Sequence, residues 1–344
     1  MSSPTSVRPA RRLTAIAAGV LVLLPLAACG SSSSDSARTD RASSAGPVSV
    51  TNCGRKVTLD RPAQRAVTIN QPATELLLTL GLRDRIVGAG LGDTNVLPGL
   101  KDQLDGLNLF PKEFPSFEDV LATEPDLVYA TFDYTFTNEG IADRKRFTDL
   151  GIDVYQSPSE CAGQEATHTK PLTLDDQYAE IRDVATLFGV KKRGADLVAD
   201  LKKRAATAAD GLDADNVSTA WWYSSTKTPF FAGCCGAPGI MTRAVGAKNA
   251  FDDLDQLWPQ VSWESVVDRD PDVFVLADLT RGSEGDTAAA KIAFLESNPA
   301  TKNLTAVKKK RFIILPGTTM DPSIRNVDGI EQVADGLREL GLGS

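Results

Sequence analysis

The residue types that most often carry catalysis are scarce in this chain. There is one histidine, His168, set among Thr167, Thr169 and Lys170, where a solvated imidazole is the plain expectation. No Gly-x-Ser-x-Gly is present, so a nucleophile elbow has no support. A Gly-x-x-x-x-Gly-Lys-Ser/Thr phosphate loop and a His-Glu-x-x-His pair are equally absent. Beyond Cys29 the cysteines are Cys53, Cys161, Cys234 and Cys235, an even set that outside the cytoplasm favours disulfides. A bridge between the neighbours Cys234 and Cys235 would be strained, so each is expected to pair with Cys53 or Cys161. A metal centre would want histidines or Cys-x-x-Cys spacing, which the chain lacks. The residues thus offer no mechanism for turnover, no metal site and no need of a resident cofactor.

Binding is the better-supported chemistry. In open α/β sheets ligands sit beyond the carboxyl ends of strands, and the loops at those positions carry rings and polar groups. In the first half of the chain they hold Asn70, Gln71, Thr94, Phe132 and Tyr134, and in the second half Trp222, Tyr223, Phe231, Arg281 and Arg325. Rings of this kind suit a large planar or partly apolar ligand, although aromatics also fill cores. Trp221 and Trp222 are adjacent on a strand and point to opposite faces, so at most one of them can see a cleft. Arg325, after a proline-containing loop, could pair with an anionic ligand group; a structural salt bridge is an equal alternative. Arg144 lies beside Lys145 and Arg146 and reads as part of a solvated face.

A repeated stretch positions these loops. Ser116–Ala130 is SFEDVLATEPDLVYA, and Ser262–Leu276 is SWESVVDRDPDVFVL. Both have a serine, an aromatic, a glutamate (Glu118, Glu264), a valine and then Pro-Asp before an apolar run. Each copy reads as a short serine-capped helix stopped before proline, followed by a strand buried on both faces. Around them strands and helices alternate. Strands are expected over 66–69, 85–89, 127–129, 152–155, 217–223, 273–276 and 311–315. Helices are expected over 74–80, 138–150, 240–245, 288–295 and 326–340, and Val48–Leu59 reads as a β-ribbon. Between the halves, 174–188 and 191–212 show only helical character, and a helix of about 20 residues spans roughly 30 Å. The fold class is therefore α/β, two similar lobes with central parallel sheets, and 191–212 is long enough to cross between them, two ordinary surface helices of the first lobe being the alternative. The expected bounds are 48–170 for the first lobe, 171–212 for the helical region and 213–344 for the second lobe. Glu118 and Glu264 complement their helix dipoles, and their matched placement makes them candidates for a paired docking surface.

The start of the chain is not fold. Arg8, Arg11 and Arg12 precede an apolar run, Leu13–Leu24, too short for a comfortable membrane span, and Leu-Ala-Ala-Cys then closes at Cys29. The pattern resembles a bacterial lipobox, which predicts a signal peptide over 1–28, lipidation of Cys29 and a Ser-rich flexible tether over 29–47. The formal net charge is −8; loss of three arginines with the leader makes it −11, from 34 basic and 45 acidic residues. That balance argues against a nucleic-acid partner, which would want a basic face.

The stretch Ala73–Gly88, ATELLLTLGLRDRIVG, and the two Glu…Pro-Asp copies resemble the ferric-siderophore and cobalamin binding proteins of ABC importers. The likeness runs from about Val48 to the end. It implies a monomeric, extracytoplasmic, lipid-anchored carrier without enzymatic activity. Two Rossmann-like lobes joined by a single long, rigid interlobe α-helix would take a metal chelate such as a ferric siderophore, with cobalamin as an alternative; Glu118 and Glu264 would dock on arginines of a membrane permease, with which an ATPase works. Thr51–Gly54 (TNCG), Trp222–Ser225 (WYSS), Gly233–Pro238 and Arg325–Val327 (RNV) further resemble an actinobacterial branch described as carriers of a deazaflavin-coenzyme precursor. Cys234 and Cys235 depart from that branch's pattern. An exported two-lobe enzyme acting on a chelate is the remaining alternative.

Overall fold

The computed structural model describes residues 46–92, 95–163, 166–168 and 170–343. The expected leader, most of the tether, Cys29 and Thr94 lie outside them. The described chain opens on a hairpin, β1 (Val48–Asn52) and β2 (Arg55–Leu59), paired antiparallel. Its two-residue turn puts Cys53 at φ 47° and Gly54 at φ 73°, the double left-handed conformation that a tight hairpin requires.

The first lobe is a four-stranded parallel sheet of β3 (Ala66–Ile69), β4 (Ile86–Gly90), β5 (Leu127–Ala130) and β6 (Asp153–Gln156), in the order β4-β3-β5-β6. Every residue of β3 and β5 is buried, as central strands covered on both faces must be. Helices α1 (Gln71–Thr79), α2 (Phe117–Ala122) and α3 (Arg144–Thr148) belong to this lobe. The helix expected over 138–150 is reduced to α3. Ahead of it the chain folds back on itself: Ile141 N–H donates to the Thr135 carbonyl at 2.9 Å, and at Gly140 a Cβ would lie 2.1 Å from the Tyr134 carbonyl oxygen.

Two helices follow, α4 (Leu174–Leu187) and α5 (Lys191–Ala209). Thr173 and Asp176 cap α4 reciprocally, and Gly189 at φ 72° turns the chain between the two. Near the start of α5, Arg193 donates to the Leu80 and Gly81 carbonyls of the first lobe at 3.1 and 3.2 Å. Three turns later Arg204 bonds Glu331 at 2.9 Å, on the closing helix of the second lobe.

The second lobe carries β7 (Ser218–Ser224), β8 (Phe230–Phe231), β9 (Lys248–Asn249), β10 (Val273–Asp278) and β11 (Phe312–Pro316). The order is β11-β10-β7-β8, with β9 also on β7 and β8 alone antiparallel. Its helices are α6 (Ala237–Ala244), α7 (Trp263–Arg269), α8 (Ala288–Ser297), α9 (Thr305–Lys308) and α10 (Arg325–Glu339).

The repeated stretches do the same structural work in both sheets. Ser116 Oγ accepts from Asp119 N–H and Ser262 Oγ from Ser265 N–H, each at 3.1 Å, to start α2 and α7. The Pro-Asp aspartates then align the neighbouring strand. Asp126 accepts from the Gln64 and Arg65 amides just before β3, and Asp272 from the Ser218 amide that begins β7. In return the Asp126 and Asp272 amides donate to the Arg65 and Ser218 carbonyls, both at 2.8 Å. One apolar cluster runs without interruption from Leu76 and Tyr129 through Tyr178, Ile181 and Leu201 to Trp221, Val275 and Val327, so the lobes share a core.

The cysteines pair as Cys53–Cys161 and Cys234–Cys235, which corrects the expected pairing. Asn52 holds the hairpin on β6, donating to the Gln156 carbonyl at 2.7 Å and accepting its amide at 3.0 Å. This brings the Cys53 and Cys161 Cα atoms to 5.2 Å within one lobe. Cys234 and Cys235 sit in the other lobe, at the entry to α6. His168 is not a free surface residue: its amide donates to the Asp255 carbonyl at 2.7 Å and its Nε2 lies 3.1 Å from the Gly163 carbonyl oxygen.

Candidate functional site

A cleft of about 760 Å³ opens between the lobes at the carboxyl ends of β3, β5 and β7. Asn70 is its keystone on the first lobe. It ends β3 and caps α1 with φ 72° and ψ 153°, a conformation that costs a non-glycine residue roughly 1–3 kcal/mol unless its surroundings enforce it. They do. Its amide donates to the Gly90 carbonyl at 2.9 Å, and its Oδ1 accepts from the Thr131 and Phe132 amides at 3.3 Å each. Its Nδ2 donates to Glu113 Oε1 at 2.8 Å. One residue, at the end of β3, thus reaches β4 through its amide and the end of β5 through its side chain, which also fixes a carboxylate at the cleft wall.

Glu113 reaches that place because the chain over 108–114 lies along β4. The Ala89 amide and carbonyl exchange bonds with Asn108 and Phe110, both at 2.9 Å. The glycines of β4 and its loop make room: a Cβ on Gly90 would stand 2.1 Å from the Glu113 carbonyl oxygen, and one on Gly92 would stand 2.5 Å from its carboxylate. Burial raises the Glu113 carboxyl above the ordinary glutamate range, opposed by the Asn70 hydrogen bond.

Rings face each other across the gap. From the first lobe Phe132 and Tyr134 stack at 5.4 Å, 9° from parallel. From the second, Tyr223 and Trp258 pack at 4.9 Å and Arg281 covers the Tyr223 ring at 5.5 Å. Burial raises both phenols, and the carboxylates of Glu113 and Asp321 push both further in the same direction, so these groups from the two lobes converge. Arg281 is already engaged, its Nη2 donating to Asp286 Oδ1 at 2.7 Å.

Of the expected binding residues, Asn70, Gln71, Phe132, Tyr134, Tyr223 and Arg281 line the cleft. Trp222 and Phe231 do not. Both are fully buried, packed with Phe251, Trp263 and Phe274 behind the sheet, and Trp221 is equally buried on the other face. Strand alternation sends Phe231 inward and leaves Phe230 on the cleft. Arg325 is 4% exposed and its Nε donates to Glu75 Oε2 at 2.6 Å. It joins α10 to α1 in a buried ion pair and does not line the cleft. Arg144 stacks on Phe136 at 4.5 Å. Glu113, Trp258 and Asp321 were not among the expected residues. Only the glycines at 88, 90 and 92 hinted that another segment must approach there. Among the described residues no group of three or more His, Cys, Asp or Glu side chains is placed to hold a metal ion.

The sequence pattern of the periplasmic binding proteins matches residues 67–319, well over half of the chain. The chain belongs to this family. Among its relatives is a cobalamin-binding protein of Halobacterium salinarum, 27% identical over 252 residues. That match covers 73% of this binding protein but only 62% of the relative's length. An uncharacterised ABC transporter substrate-binding lipoprotein of Bacillus subtilis, YvrC, is 23% identical over 330 residues, 93% of this chain and 95% of that one. The crystal structure of an ABC-type Fe3+-hydroxamate transport system protein from Saccharomonospora viridis superposes with a TM-score of 0.69 at 26% identity, covering 84% of this chain and 98% of that one. The binding protein folds into two α/β lobes with parallel sheets, the fold it shares with the S. viridis structure.

Proposed function

We propose that this binding protein is the lipid-anchored, extracytoplasmic carrier of an ABC importer, capturing a metal chelate in the interlobe cleft and handing it to a membrane permease. The observation that carries the reading is the cleft: two aromatic pairs, one from each lobe, face a space of about 760 Å³, within the range of small-molecule sites. The chelate class is supported by the hydroxamate transport protein from S. viridis, a corrinoid by the H. salinarum relative. The lipid anchor at Cys29 is supported by the lipobox pattern and by the B. subtilis lipoprotein. Glu118 and Glu264, both exposed in the first turns of α2 and α7, are assigned to permease docking.

Uptake of a radiolabelled ferric chelate by cells that depend on this chain tests the reading. Glu118→Ala with Glu264→Ala is expected to abolish uptake and leave the affinity of the purified protein unchanged. Lost affinity would contradict the docking assignment, and multiple turnover of the chelate by purified protein would support an enzyme instead.

A further inference from the structure

Three charged residues line the cleft among the described residues: Glu113, Asp321 and Arg281. The single cation is held by Asp286, itself 1% exposed in its side chain. Glu113 is a built feature. Its carboxylate is oriented by Asn70, which is locked to three strand ends, and it occupies space that a side chain on residue 92 would fill. Beside it Gln71, only 3% exposed, uses its Nε2 on Glu75 and the Asn95 carbonyl, at 3.2 and 2.6 Å. Its Oε1 has no hydrogen-bond partner among the described residues. The wall therefore offers two carboxylates and an unpaired amide oxygen, its neutral hydroxyls, Thr318 among them, can donate or accept, and its one guanidinium already has a carboxylate. An anionic chelate entering here would meet like charge in a partly desolvated space.

We infer that the cleft selects its cargo by charge, taking a ligand that presents a cationic or hydrogen-bond-donating group to Glu113 and turning away polyanionic chelates. The inference rests on the carrier reading above and narrows its substrate class. Glu113 is the specificity-determining residue; the rings supply contact area to either charge type.

The test is calorimetric titration of the purified chain with two ferric chelates of similar size. One is a trihydroxamate complex carrying a free ammonium group, the other a tris-catecholate complex carrying three negative charges. The ammonium chelate is expected to bind at least tenfold more tightly. Glu113→Gln should reduce that preference to less than threefold by weakening the ammonium chelate alone. Gly92→Ala, which displaces the carboxylate without removing it, should act in the same direction and guards against a folding defect in the first variant. Equal or tighter binding of the tris-catecholate overturns the charge assignment and leaves the carrier reading standing. So does a Glu113→Gln variant that weakens both chelates alike. If neither chelate binds, the chelate-carrier reading fails and the assignment falls with it.

Discussion

The two lobes meet in two ways, side by side, and the contrast is instructive. At the cleft they present rings and carboxylates to solvent. One turn along α1 they close on a dry seam, where Glu75 and Arg325 are paired at 0% and 4% side-chain exposure. Gln71 belongs to both regions, lining the cleft while donating to Glu75. Two arginines that read alike in the sequence are thus divided: Arg281 keeps about half of its side chain in solvent, and Arg325 is enclosed by structure. The local environment, more than the residue type, decides whether a charge stands on the cleft wall or inside the fold.

The strongest way to break the contrast is at the seam. Arg325→Ala leaves the Glu75 carboxylate buried without its cation and should cost about 3–5 kcal/mol in urea unfolding, whereas replacing both partners by leucine-sized residues should cost far less. If Arg325→Ala instead lowered ligand affinity at unchanged stability, the assignment of Arg325 to structure would be wrong. At the cleft, Trp258→Ala should weaken a bound chelate by roughly 1–2 kcal/mol, about 5–30-fold, with little change in the urea midpoint.

The smallest effect concerns pH. Glu180, buried on α4, accepts from Tyr129 Oη at 2.6 Å and Ser157 Oγ at 2.7 Å. Burial pushes its carboxyl up to about 7, against the pull of those two bonds and with a small addition from Asp183. Because the folded state holds the proton more tightly than the unfolded chain, the stabilisation is complete below about pH 4.5 and is lost as pH rises through 7. Thermal melts of the native chain and of Glu180→Gln should therefore diverge between pH 5 and 8, with the native chain losing at least about 3 °C relative to the variant. A pH-independent difference would show that folding does not raise the Glu180 carboxyl above its unfolded value.

Much of the fold was legible because its signals are local. The duplicated serine cap and Pro-Asp mark equivalent helix–strand units, and in the structure both aspartates fasten the backbone of the adjacent strand. Phe132 and Tyr134 could be placed because they come soon after a buried strand, and Tyr223 because it stands near the carboxyl end of one. What could not be read depends on register or on distant partners. Phe230 and Phe231 differ by one position, and nothing around them fixes which one faces the cleft. Glu113 lies between Lys112 and Phe114 in a stretch without periodicity, and reaches the site only because 108–114 runs beside β4. The partner of Arg325 is 250 positions away. Cys234 and Cys235 join each other because the two other cysteines are already brought together in the opposite lobe.

Tension applied ahead of Val48 can peel away five residues of β1 before it arrives at Cys53. There the covalent link hands the load to Cys161, across a separation of 108 residues. Asn70, Glu113, Phe132 and Tyr134 all lie inside that bypassed loop, so the first-lobe wall of the cleft is mechanically shielded from a pull applied ahead of Val48. Pulled in a single-molecule trap, the oxidised chain should never release the length of that loop, whereas the reduced chain should.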